Sequence, residues 1–282
     1  MIITVTLLFS IIRREKNTMY EFAFEGFTKE QCDRYLERIH ASFDGNVTMD
    51  NLNHLIFQHQ CNVPFEDLAV CENWGTVDLE PDALFAKIVT THRGGFCFEL
   101  NGAFLLLLKG LGFDAVGVMC RVGIPAFGDL RRLDHRGVLV TLDGKEYYCD
   151  VGMGGPKPGK AIPLSGEKIV FDSGISYWIE DTDRGWKMLK NDGPGKDGSC
   201  IIFAPIAMLP FDFYGNCYEM VGRGNTIFHT TRMVNINTPD GFVQINNNVL
   251  NINQNGEETK REFDDAEFPE LLKTYFGIDY RK

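Results

Sequence analysis

Residues 135–150 read HRGVLVTLDGKEYYCD, two strand-like runs joined by Asp143-Gly144. An Asp-Gly pair between such runs is the strongest short signal of a two-residue β-hairpin, because both turn positions need a positive φ. The turn predicts that Leu142 pairs with Lys145. Carried outward, that register sets Asp150 opposite Gly137, and His135, two residues before Gly137, lies on the same face. His135 and Asp150 thus become diagonal neighbours. Their Cβ atoms should stand roughly 7–8 Å apart or a little less, a gap that an imidazole and a carboxylate leaning together can close. A carboxylate accepting from one imidazole nitrogen fixes the tautomer and leaves the other nitrogen for a nucleophile.

Upstream, RGGFCFELNG at 93–102 runs into the apolar Ala103 to Leu108 and stops at Lys109-Gly110-Leu111-Gly112. Glycines at both ends bracket one buried helix and set Cys97 at its N-terminus. Unpaired backbone N–H groups and the positive end of the helix dipole favour a thiolate over a thiol there. Taken singly, a Cys in an apolar helix is ordinarily a small buried hydrophobe, and an Asp ending a strand is ordinarily a turn residue. A nucleophile at a helix start together with a base and its orienter on one hairpin face points to nucleophilic catalysis.

On either side of these segments the pattern divides. Thr28 and Gln31 spell a capping box before an apolar stripe of Tyr35, Leu36 and Ile39; Met49 to Gln60 reads helical; Pro81 opens a helix over Asp82 to Thr91. From Phe113 to about Phe203 short β-rich segments alternate with Gly, Pro and Asp, the signature of an antiparallel sheet or barrel. Further strands are predicted at Arg232 to Ile236, Gly241 to Ile245 and Val249 to Ile252, with a last helix near Phe268 to Phe276. The expected division is 1–18 an N-terminal extension, 19–112 a helical bundle with the Cys, 113–204 a β-barrel with the His and Asp, 205–224 an interdomain connection, and 225–282 an α/β lid.

The chain has 282 residues, 44% of them hydrophobic, and 22 Phe, enough to bury a large core. Its net charge of −11 argues against a nucleic-acid or membrane-surface binder, which would need clustered Lys and Arg. Eight Cys lie scattered without a CxxC pair, far from disulfide-scaffold density, which favours a reducing cytoplasm. No HExxH is present, and the spacing of His54 and His59 does not put two imidazoles on one helical face, so no metal is assigned. Met1 to Ile12 is apolar but lacks a basic leader region and a cleavage site and is too short to span a bilayer; Met19 is the working start.

The segment Arg93-Gly94-Gly95-Phe96-Cys97-Phe98-Glu99-Leu100-Asn101 resembles the signature around the active Cys of the arylamine N-acetyltransferases. His135 and Asp150 match that family in order and spacing, Pro64 to Leu68 resembles its Pro-Phe-Glu-Asn-Leu segment, and Asp150 to Gly155 its Asp-Val-Gly-Phe-Gly-Gly loop. The likeness runs from about Met19 to the C-terminus and is strongest over 60–160. It implies an α+β fold made of an N-terminal helical bundle, a central antiparallel β-barrel and a C-terminal α/β lid, with a papain-like Cys-His-Asp core. It also implies a ping-pong reaction in which acetyl-CoA acylates Cys97 and a small aromatic amine or hydrazine takes the acetyl group. By the same resemblance Phe65, Val122, Met153 and Phe228 would line the acceptor pocket. Gly152, Gly154 and Gly155 would admit the thiol arm of acetyl-CoA. Met153 stands where the family usually has Phe, and Arg136 follows His135 where apolar residues are usual. Glu66 and Arg93 look like an ion pair holding the Cys loop, and Arg131 and Arg132 are candidates for CoA phosphates. No nucleic acid, membrane or metal is expected, and a homo-oligomer stays open. A cysteine peptidase or transglutaminase, or an inactive binding protein carrying the same three residues, are the competing readings.

Overall fold

The computed structural model describes residues 25–279 other than 124–131, 156, 172, 183, 184 and 194–199. Residues 1–18, the start at Met19 and Arg131 lie outside the described residues.

Helix α1 (Lys29–Arg38) opens on the capping box, with Thr28 and Gln31 each accepting from the other's backbone N–H. Helix α2 (Met49–Asn62) is capped by Thr48. A two-residue strand β1 (Phe65–Glu66) and a single turn α3 (Leu68–Cys71) follow. Pro81 starts α4 (Pro81–Phe85), which widens into a π-helical turn at Ala86–Thr90 where the sequence predicts one continuous helix. Helix α5 (Cys97–Gly110) begins on the Cys itself, and Gly112, at φ 92°, turns the chain after it. Its residues from Cys97 to Leu105 are all buried, as expected of a helix that is apolar on nearly every side.

The second unit is one antiparallel sheet of β2 (Asp114–Gly123), β3 (His135–Leu142), β4 (Lys145–Cys149), β5 (Ile162–Pro163), β6 (Ile169–Val170), β7 (Ser176–Asp181), β8 (Lys187–Asn191) and β9 (Cys200–Phe203). The strand order is β5-β4-β3-β2-β9-β8-β7-β6. Strand β5 packs near β7, so the sheet curls into a nearly closed barrel. The hairpin has the expected register, Leu142 opposite Lys145 and Val138 opposite Cys149, with Asp143 at φ 51° and Gly144 at φ 73°.

Helix α6 (Asp212–Gly222) and the short α7 (Ile227–Thr230) lead to β10 (Met233–Thr238), β11 (Gly241–Asn246), β12 (Val249–Gln254), β13 (Glu257–Glu262) and α8 (Phe268–Phe276). Two features depart from the sequence pattern. Residues 205–224, read as a connection, contain α6: Phe213 and Cys217 are buried, Tyr214, Met220 and Val221 pack partly against the same core, and Phe211 before the helix and Tyr218 on it are exposed. Strand β13 has no apolar alternation because it is an exposed edge whose residues, EETKRE, are nearly all charged, a usual guard against edge-to-edge pairing.

The N-terminal and C-terminal units share a sheet, since β1 pairs with β10, Phe65 opposite Asn235. Asp67 extends that seam: its backbone N–H donates to the Met233 carbonyl, and its Oδ1 accepts from the Met233 N–H at 2.9 Å. Its Oδ2 is buried with no partner, and burial pushes this carboxyl up to about 8. A carboxyl raised in the folded state binds a proton that the unfolded chain has released, so stability falls as pH rises from the ordinary carboxylate range towards 8. Asp67→Asn removes the titration. The variant is expected to gain about 1–3 kcal/mol near pH 8 and little near pH 4, measured by denaturant unfolding at both pH values.

Candidate active site

Cys97 is the first residue of α5 and is 3% exposed, its Sγ 3.8 Å from the Asp134 carbonyl oxygen. His135, the residue after Asp134, starts β3. Its Nε2 lies 2.6 Å from Asp150 Oδ2, with both residues buried. The diagonal approach expected from the hairpin register is therefore made.

Burial alone would lower the His135 pKa, but the facing charges of Asp150 and Cys97 overcome it and hold the imidazole well above its ordinary value. Burial would likewise raise Asp150, yet His135 and hydrogen bonds from Asn101 and Tyr148 hold it below the ordinary carboxylate range. Both directions favour an imidazolium beside a carboxylate.

Asp150 is enclosed by donors. Oδ2 accepts from His135 and from the Tyr148 hydroxyl at 2.8 Å; Oδ1 accepts from Asn101 Nδ2 and from the Gly152 N–H, each at 2.9 Å. The sequence reading singled out neither Asn101 nor Tyr148 as a partner of Asp150. Both signals were present: Asn101 lies one helical turn after Cys97, and Tyr148 lies two residues before Asp150 on the same strand face. Asn101 ties the helix to the hairpin, since it also donates to the Arg136 carbonyl at 2.6 Å and accepts from the Val151 N–H at 2.9 Å. Asn101→Ala would orphan that N–H in the core and remove one donor from Asp150. The expected loss is about 3 kcal/mol of unfolding free energy, read from a urea transition.

The loop before Cys97 is clamped twice. Arg93 pairs with the buried Glu66 at 2.7 Å, and Glu66 Oε2 accepts from the Leu68 N–H. Glu99 reaches back to the Phe96 N–H at 3.2 Å while pairing with Lys87 at 2.7 Å. Arg136 is buried, its guanidinium 4.0 Å over the Phe213 ring, and burial draws it down to about 10. Gly102 makes room for it, because a Cβ there would stand 2.7 Å from Arg136 Nη1.

The four residues expected to line an acceptor pocket are divided. Phe65 and Phe228 share the core cluster that contains Cys97, with ring centroids 6.5 Å apart, and Phe96, which the sequence did not assign to the pocket, lies 5.0 Å from Phe228. Met153 and Val122 pack instead with the barrel core. The glycines differ as well. A Cβ on Gly152 would come within 2.8 Å of Cys97 Cα, and one on Gly154 within 3.0 Å of the Phe65 ring, whereas Gly155 faces open space. Arg132 pairs with Glu219. Among the described residues no cluster of His, Cys, Asp and Glu could hold a metal, and no helix is long and apolar enough to cross a membrane.

A family model described as N-acetyltransferase matches residues 48–282. An arylamine N-acetyltransferase / N-hydroxyarylamine O-acetyltransferase of Salmonella typhimurium is 36% identical over 133 residues, 47% of this chain and 47% of that one. An Escherichia coli arylamine N-acetyltransferase is also 36% identical, over 44% of this chain and 43% of its own length. The chain thus spans about half the length of the curated relatives it matches. Among solved structures, the arylamine N-acetyltransferase of Mycobacterium abscessus superposes with a TM-score of 0.79 at 28% identity, covering 89% of this chain and 90% of that one. The Salmonella typhimurium enzyme shares the fold at a TM-score of 0.84 and 24% identity over 91% and 94%. With the match running through the Cys97 helix, the hairpin and the C-terminal sheet, the chain belongs to the arylamine N-acetyltransferase family.

Proposed function

We propose that the protein moves the acetyl group of acetyl-CoA to the nitrogen of an arylamine or arylhydrazine through an acetyl-cysteine intermediate on Cys97. The observation that carries this reading is the buried helix-start thiol of Cys97, 3.8 Å from the carbonyl of Asp134, beside a His135 whose imidazole is held 2.6 Å from the buried Asp150 carboxylate. In the first half-reaction the Cys97 proton resides on His135 and the thiolate attacks the thioester carbonyl carbon. The C–S bond to CoA breaks, and the departing CoA sulfur takes the proton from His135. The amine then attacks the acetyl carbon, His135 accepts its proton, and the bond to Cys97 Sγ breaks, returning the thiol. The backbone N–H of Cys97 at the helix start is the candidate donor to the oxyanion in both steps.

Phe65, Phe96 and Phe228 supply the apolar aromatic wall for the acceptor ring. Of the three glycines, Gly155 is the one free for approach by the donor's thiol arm, because Gly152 and Gly154 already spend their missing side chains on Cys97 and Phe65.

Intact-protein mass spectrometry after incubation with acetyl-CoA tests the reading. One acetyl group should appear, map by peptide digestion to Cys97, and disappear when an arylamine is added with formation of the N-acetyl product. A chain that takes up no acetyl group, or carries it elsewhere, would sink the proposal.

A further inference from the structure

Tyr148 is fully buried on β4, and its hydroxyl donates to the same Asp150 oxygen that receives His135. The ring is stacked on Phe203 with centroids 4.8 Å apart, and the hydroxyl also lies 3.9 Å from Cys120 Sγ. Gly137, the residue facing Asp150 in the hairpin register, gives up its side chain to this arrangement: a Cβ there would sit 2.6 Å from the ring and 2.8 Å from the hydroxyl oxygen. A phenol so enclosed could have been an apolar ring at no loss of packing. Its hydroxyl is directed at one atom.

We propose that Tyr148 is a positioning residue that sets the proton affinity of His135 by sharing Asp150 Oδ2 with it. This rests on the reading of Cys97, His135 and Asp150 as the reacting group. A carboxylate oxygen that accepts two hydrogen bonds divides its charge between them, so the Tyr148 hydroxyl weakens the hold of Asp150 on the imidazolium. His135 then gives up its proton at a lower pH than it would beside an undivided carboxylate. That matters in the second half-reaction, where neutral His135 must accept the amine proton. The other ionisable groups that bear on this cluster are Cys97 from α5, Cys120 from β2, Cys149 on β4, and Lys157 in the loop after Asp150. None of the four is altered by the substitutions below.

The experiment is a single-turnover discharge of preformed acetyl-enzyme by an arylamine that stays unprotonated across the pH range used. In wild type the rate rises with pH to a plateau as His135 loses its proton. In Tyr148→Phe the rise is expected about one pH unit higher, the displacement that one hydrogen bond to a charged group produces, with the plateau nearly recovered. Phe203→Leu loosens the ring stack but keeps the hydroxyl. It should lower thermal stability and leave the rise in place. Should Tyr148→Phe fold poorly, 3,5-difluorotyrosine at position 148, a stronger donor of the same shape, is expected to move the rise to lower pH. An unmoved rise in Tyr148→Phe or in the fluorotyrosine protein, or a lowered plateau without displacement, overturns the proposal. Failure of wild type to form acetyl-enzyme would instead overturn the reading on which it rests.

Discussion

Asp150→Asn is expected to reduce kcat by about four orders of magnitude, the scale seen when the carboxylate of a nucleophile-His-Asp array becomes an amide. The surroundings explain why no rotamer rescues it. All four neighbours of the carboxylate act as donors: His135 and Tyr148 on Oδ2, Asn101 and the Gly152 N–H on Oδ1. An asparagine offers its oxygen to only one side. If the oxygen meets Asn101 and Gly152, the new NH2 faces His135 Nε2 and forces it to accept, which puts the ring proton on the nitrogen nearest Cys97 and blocks proton transfer from the thiol. If the amide turns over, its NH2 opposes two donors in the core, at a cost of about 1–3 kcal/mol for each orphaned group. Steady-state kinetics with acetyl-CoA and an arylamine measure the fall, with Cys97→Ala as the floor. A rate within tenfold of wild type would show that Asp150 does not orient His135.

Gly152→Ala comes next in size, with an expected loss of about 10²-fold in kcat/KM. The new Cβ would stand 2.8 Å from Cys97 Cα, 2.8 Å from Asn101 Nδ2 and 3.1 Å from the Cys97 carbonyl oxygen. Two of these atoms are backbone, so a rotamer change cannot relieve the contact. Either the first turn of α5 moves, carrying Cys97 away from His135, or residue 152 retreats and its N–H leaves Asp150. Overpacking of this kind typically costs about 1–3 kcal/mol of stability. A displacement of about 1 Å at the reacting group is enough for a loss of about 10² in rate. Gly155→Ala is the control, since it meets nothing within 4 Å: its unfolding transition should match wild type, and a rise in KM for acetyl-CoA alone would locate the donor's arm. Wild-type kinetics in Gly152→Ala would remove steric exclusion as the reason for the glycine.

Both effects depend on contacts between segments far apart in the chain, and this bears on what could be read in advance. The His135–Asp150 approach was legible because an Asp-Gly turn fixes a local register, and a strand's period of two then assigns every side chain to a face. The start of α5 at Cys97 was legible because glycines punctuate a helix of strong apolar content. Strand β13 was not, since an exposed edge strand needs no apolar pattern, and α6 was not, since Gly215 inside it weakens the local helical signal. The division of the expected pocket residues escaped for another reason. Resemblance of motifs assigns Met153 a place in the chain, but the barrel core, by enclosing it, decides which way its side chain packs.

The sequence by itself determined the helix that starts at Cys97, the hairpin register, the neighbourhood of His135 and Asp150, and the family resemblance, because each is encoded over a few consecutive residues by turn chemistry and periodicity. Only the tertiary structure decided that the barrel curls nearly shut, that β1 joins the C-terminal sheet, and that Asn101, Tyr148 and the Gly152 N–H converge with His135 on one carboxylate. Those contacts join a helix, a strand and a loop whose relative placement follows from burying three surfaces against one another. No local pattern in any one of them specifies where the others will lie.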